Sequence, residues 1–118
     1  PVALFPEGTT SNGDNIQPFK NSLFDAAVLT RADIVPICLR YTRVNDELLM
    51  PENRDLVFYY GGVTFSKHFL RLLSLRSIDV EVMPLMVIKV QPQQSRKDLA
   101  AETYEAINAA YYGRISMP

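Results

Sequence analysis

The sequence predicts one α/β domain, a mixed sheet with flanking helices. Three observations lead there. Runs of strand type alternate with runs of helical period along the chain. The 118 residues, 47% of them hydrophobic, suffice for one core. No internal repeat, low-complexity tract or second-domain boundary interrupts them.

In chain order, Val2–Phe5 is an apolar run that reads as a short buried strand. Residues 6–18 are dense in Pro, Gly, Asn, Asp, Ser and Thr and read as a loop. Ser22 is expected to cap a helix through about Thr30, with Leu23, Phe24, Ala27 and Val28 on its inner side. Residues 34–41 return to strand, apolar on both faces as a central strand would be. Residues 45–55 read as loop, and Leu56–Tyr60 as a strand closed by Gly61-Gly62. Ser66 to about Leu75 has helical periodicity, with His68 expected partly exposed. Residues 78–82 alternate, placing Ile78, Val80 and Val82 on one face, and Leu85–Val90 extends or repeats that strand beyond Pro84. Ser95 and Asp98 have capping-box spacing. A helix follows to about Tyr112, its stripe carrying Ala100, Tyr104, Ile107 and Tyr111, and Gly113 is expected to end it.

Composition excludes several functions. The net charge is −1, which gives nucleic-acid binding no support. The single cysteine, Cys38, lies in an apolar run, can form neither an internal disulfide nor a zinc site, and reads as a buried small residue. Asp14 and Asn15 lack EF-hand spacing, so no metal is expected. No apolar stretch approaches the roughly 18–20 residues that span a bilayer. The chain opens on Pro1 and an apolar run without a methionine, as expected of a piece of a longer protein.

The segment with chemical content is Phe5-Pro6-Glu7-Gly8-Thr9-Thr10-Ser11-Asn12-Gly13. Glycines let backbone approach a ligand, successive N–H groups can hold an anion, and the hydroxyls of Thr9, Thr10 and Ser11 add donors. Lys20 is close enough in sequence to add charge. On these grounds alone the segment is a candidate phosphate or headgroup loop, or else a solvated turn. It is not a P-loop, because no Gly-Lys-Ser/Thr follows.

Phe5-Pro6-Glu7-Gly8-Thr9 resembles the third block of the glycerolipid acyltransferase superfamily, usually Phe-Pro-Glu-Gly-Thr-Arg-Ser. Pro18-Phe19-Lys20 and the helix after it are similar to that family's Phe-Lys-x-Gly-Ala segment. Ile34-Val35-Pro36-Ile37 resembles its fourth block, and Tyr60-Gly61-Gly62-Val63-Thr64-Phe65 a downstream tyrosine-glycine segment. The resemblance spans nearly the whole chain. It implies a partial glycerol-phosphate acyltransferase-type domain, with residues 1–118 forming its C-terminal part.

The resemblance further implies acyl transfer from acyl-coenzyme A or acyl carrier protein to the hydroxyl of a lysophospholipid or lysophosphatidate, in phospholipid biosynthesis. A histidine is the general base and an aspartate five positions later orients it. No cofactor or metal is implied. The third block binds the acceptor, so Glu7, Gly8, Thr9, Thr10 and Ser11, with Lys20 and Pro36, are the expected substrate-binding residues. The expected partners are the lysolipid, the acyl donor and a membrane surface, at the cytoplasmic face of a membrane, with the protein peripheral or monotopic.

Two departures qualify this. The His-x-x-x-x-Asp block belongs before the third block and does not occur in this chain; five positions after His68 stands Leu73. No catalytic residue is therefore expected here, and the chain alone is expected to be inactive. The family's arginine is replaced by Thr10, a neutral donor in place of a charged bidentate fork. That favours a lysolipid with a larger headgroup over lysophosphatidate, unless Lys20, Arg31 or Arg40 restores the charge. The alternative reading is a non-catalytic lipid- or anion-binding α/β module. If part of a parent sheet is absent, its edge would favour a homodimer.

Overall fold

The computed structural model describes residues 2–11, 13–62 and 64–116, the last three as backbone only. The order of elements is a 3-10 turn Asn21–Phe24, helix α1 (Asp25–Thr30), strand β1 (Ile37–Val44), strand β2 (Glu47–Leu48), a 3-10 turn Arg54–Leu56, helix α2 (Phe65–Leu73), strand β3 (Ile78–Pro84) and helix α3 (Arg96–Ser116). The three strands form one sheet in the order β2-β1-β3, so the expected α/β class, a sheet with flanking helices, is observed. By internal packing the chain divides into two compact units. The first is Pro1–Gly8, Ile16–Cys38 and Val82–Pro118; the second is Thr9–Asn15 and Leu39–Glu81.

The first unit is built on α3. Ser95 and Asp98 form the expected capping box: the Ser95 N–H donates to the Asp98 carboxylate at 3.0 Å, and the Asp98 N–H donates to Ser95 Oγ at 3.2 Å. Leu99 and Ala100 of the first turns are buried with Phe24 and Ile88, and Phe19, Leu23, Ala27, Val28, Ile34 and Val90 pack against them. The inner residues expected for α1 are thus the ones observed. Ser22 does not cap the helix. The chain enters through the 3-10 turn with extended Lys20 before it, and α1 ends on Arg31 in the left-handed region. Tyr104 stacks edge-on to Phe19 at 5.2 Å and its hydroxyl reaches the Ile16 carbonyl. The Tyr112 hydroxyl accepts from the Ile16 N–H at 3.2 Å. Gly113 does not end α3, which runs through it to Ser116. Its φ is not left-handed there, and glycine stops a helix only when it adopts that conformation.

Ile34 and Ile88 form an isolated antiparallel bridge, with both N–H groups donating across it at 3.0 and 2.8 Å. This is what remains of the strand expected at 85–90. Pro36, which lacks an N–H, sits just before β1 and offers its carbonyl to the Leu85 N–H at 2.9 Å. Residues 2–5 are not a strand. Val2, Leu4 and Phe5 are exposed, and the run has no ladder partner among the described residues, which an apolar run needs to become a strand.

In the second unit β1 turns into β2 through Asn45 and Asp46, both at positive φ (51° and 68°). This two-residue turn suits the twist of a hairpin, and Asn and Asp tolerate it. The pairs Arg43 with Leu48 and Val44 with Glu47 set the register, so the expected loop at 45–55 begins as a hairpin. Residues 56–60 are not a strand but leave the 3-10 turn irregularly, the Leu56 N–H donating to the Asn53 carbonyl and the Val57 and Phe58 N–H groups to the Arg54 carbonyl. β1 is closed on one face only: Cys38 and Val44 are buried, whereas Ile37, Leu39 and Tyr41 are exposed. Val80 and Val82 of β3 are exposed as well. α2 falls where expected, but His68 is buried, 4% exposed, beside Tyr59 with ring centroids 5.3 Å apart. Among the described residues no helix is long and apolar enough to cross a membrane, and no group of three or more His, Cys, Asp or Glu side chains is placed to hold a metal.

Candidate functional site

The loop singled out by sequence is held separately within each unit. In the first, Phe5 to Gly8 is a tight turn: the Gly8 N–H donates to the Phe5 carbonyl at 3.0 Å, and Gly8 has φ +68°. The Lys20 N–H donates to the Pro6 carbonyl at 2.8 Å. Lys20's aliphatic stem lies over Gly8, where an added Cβ would meet its Cγ at 3.1 Å. Glycine here removes the side chain that would push the lysine away. Glu7 is half-buried, and its Oε2 accepts from the Gln17 N–H at 2.7 Å. Glu7, Gly8 and Lys20 are therefore brought together as the sequence suggested, with the glutamate bracing the loop from within.

In the second unit Thr9 and Thr10 are exposed, with the Thr9 hydroxyl directed to the Thr10 carbonyl at 3.4 Å. Ser11 is half-buried and its Oγ accepts from the Gly13 N–H at 3.2 Å. Gly13, at φ +79°, lies flat against the Phe58 ring, which leaves no room for a Cβ. Phe58 in turn packs edge-on against Tyr41 at 5.6 Å and beneath the Arg54 guanidinium, 5.9 Å from the ring centroid. Arg54 also pairs with Asp14, so the acid first weighed as a metal ligand is neutralised by an arginine. Pro36 is buried in the first unit. Two clefts, of ≈ 440 and ≈ 500 Å³, lie one within each unit, and neither takes a lining residue from 5–13.

What the loop can do chemically follows from its parts. In the first unit the Lys20 stem lies over Gly8, and in the second the hydroxyls of Thr9 and Thr10 are exposed. The bracing role of Glu7 was missed in the sequence, because a carboxylate reaching an N–H ten residues on leaves no periodic trace.

The family model described as Acyltransferase matches residues 1–40, the stretch that holds this loop, α1 and the entry to β1. Relatives extend the match over 92% of the chain. Over these residues the chain is similar to the acyltransferase family. The lyso-ornithine lipid O-acyltransferase of Brucella abortus (strain 2308) is 33% identical over 115 residues, which cover 92% of this chain and 43% of that protein. The protein of the same name from Rhodobacter capsulatus is 34% identical over 92% of this chain and 39% of its own length. The 1-acyl-sn-glycerol-3-phosphate acyltransferase of Neisseria gonorrhoeae is 29% identical over 92% of this chain and 40% of its own. The chain thus spans about two fifths of the length of the curated relatives it matches. No solved structure gives a significant match.

Proposed function

We propose that this chain is the acceptor-binding part of an enzyme that transfers a fatty-acyl group from acyl-coenzyme A or acyl carrier protein to the hydroxyl of a lysolipid during membrane-lipid synthesis. The observation that carries this reading is the Phe5–Thr9 block within the family match, folded as a tight turn with Lys20 laid over Gly8. On the resemblance, Thr9, Thr10, Ser11 and Pro36 are the other acceptor-binding residues proposed. The base is a histidine of a His-x-x-x-x-Asp block preceding Pro1 in the whole protein, so the chain by itself is inactive. The whole enzyme works at the cytoplasmic face of a membrane, and the chain in isolation pairs as a homodimer.

Thr10 narrows the acceptor. A threonine offers one neutral hydroxyl where the family's arginine offers a charged fork for phosphate. The names of the relatives fall on both sides: a lyso-ornithine lipid in one set, a glycerol-3-phosphate in the other. The neutral residue supports an acceptor of the first kind, in which a phosphate monoester is not the group recognised.

The test is an acyl-transfer assay of the whole protein with both acceptors. Thr10→Arg is expected to raise use of lysophosphatidate relative to lyso-ornithine lipid. An unchanged ratio would remove the loop from acceptor recognition. If no His-x-x-x-x-Asp block precedes Pro1 in the whole protein, the enzymatic reading fails and a lipid-binding module is left.

A further inference from the structure

A second polar site lies within the second unit, away from the loop. A cleft of ≈ 440 Å³ opens along α2 and takes Lys67, His68 and Arg71 into its lining. Lys67 and Arg71 are four apart and share a helix face. In the same lining the chain bends at Gly61, φ +67°, and an added Cβ at Gly61 or Gly62 would meet nothing within 4 Å, so a ligand can approach the backbone there.

The polar groups of the lining are only partly used. The Lys67 ammonium has no partner among the described residues. Arg71 spends one N–H on the Asp55 backbone carbonyl at 3.0 Å and keeps the rest of its fork. Asp55 is the one acid in the lining, and its carboxylate accepts from the Tyr60 hydroxyl at 2.6 Å, which raises that phenol above its ordinary value. His68 is 4% exposed, and its Nδ1 is sealed with no hydrogen-bond partner among the described residues. Packing alone would be served better by an apolar residue at that position. An imidazole can donate from either ring nitrogen.

We propose that this cleft binds a phosphate group, held by Lys67 and Arg71, with His68 and the Gly61-Gly62 backbone as further donors. Two cations against one acid leave the lining net positive, with more donors than the two oxygens of a carboxylate can use. A tetrahedral anion can take them all. The site does not depend on the acyl-transfer reading. The phosphate is borne either by a soluble molecule, such as a nucleotide-carrying acyl donor, or by a lipid at a membrane surface.

The experiment titrates the full chain with inorganic phosphate, following the amide signals of Gly61 and Gly62 and the imidazole nitrogens of His68 by NMR. Adenosine 3′,5′-bisphosphate and phosphatidylcholine vesicles containing phosphatidate form two further arms, and acetate is the carboxylate control. Saturable shifts with phosphate, weakened about ten-fold in Lys67→Met, are expected. Tighter binding in one of the two further arms upholds the site and identifies the source. No saturation with any phosphate probe, equal binding of acetate, or affinity unchanged in Lys67→Met would overturn the proposal. Lys67 is exposed and makes no described bond, so its replacement leaves folding intact; Arg71→Met, which also severs the bond to Asp55, is the corroborating variant.

Discussion

The Glu7 carboxylate and the Gln17 N–H meet at 2.7 Å, closing a ten-residue span with a charge-assisted bond. The residue that resembles the family's signature glutamate therefore fixes the shape of the loop that displays Thr9 and Thr10. Glu7→Ala is expected to cost about 1–3 kcal/mol in chemical denaturation, because an N–H loses a charged acceptor. Glu7→Gln keeps an acceptor and should lose less. Hydrogen exchange at the Gln17 amide checks the cause: it accelerates in Glu7→Ala if the glutamate acts by bracing.

Three glycines should respond differently to alanine. Gly61→Ala meets open space but keeps a left-handed φ, at about 1–2 kcal/mol. Gly13→Ala adds a clash, since its Cβ would lie 2.7 Å from Phe58 Cε1, and should cost about 1–3 kcal/mol more. Gly113→Ala lies inside α3 with nothing within 4 Å and should stabilise by about 0.5–1 kcal/mol. Thermal denaturation of the three variants orders them.

The cap of α3 should be sensitive to acid. The Ser95 backbone N–H, and after it the Ser95 hydroxyl, hold the Asp98 carboxyl below its ordinary 3.8. The unfolded chain takes up this proton first as pH falls. The stabilisation is therefore complete above 3.8 and is lost as pH falls through the lower, folded value. Helicity at 222 nm, measured against denaturant from pH 6 to 2, should show this loss in the native chain and not in Asp98→Asn.

Within the second unit, Leu39 and Tyr41 on β1 and Val80 on β3 are large apolar side chains left exposed. Sedimentation of the chain should show a dimer that Leu39→Lys converts to monomer. A monomer at high micromolar concentration in the unmutated chain would contradict it.

Local physics was legible in the sequence. The capping box at Ser95 and Asp98, the extent of α2, and the inner face of α1 depend on residues within one or two turns, and all three stand as read. Strands were less legible because they exist by pairing. Val2–Phe5 and Leu56–Tyr60 have the right composition and no ladder among the described residues, while the two-residue Glu47–Leu48 became a strand because Asn45 and Asp46 turned it back on β1. Two αL-tolerant residues in a row were the signal for that hairpin. His68, expected partly exposed on the helix, is buried. Its burial depends on Tyr59, whose placement follows the irregular run after Arg54. At the loop, sequence brought together Glu7, Gly8 and Lys20, but not Asp14 with Arg54 across forty positions.

Cys38, wholly shielded in the middle of the sheet, is the chain's one thiol. A thiol reagent can reach it only when β1 detaches, so the rate of its colour change, at increasing reagent, measures how often that strand opens and how quickly it recloses. The molecule thus carries its own clock for the opening of its central strand, readable without an introduced label.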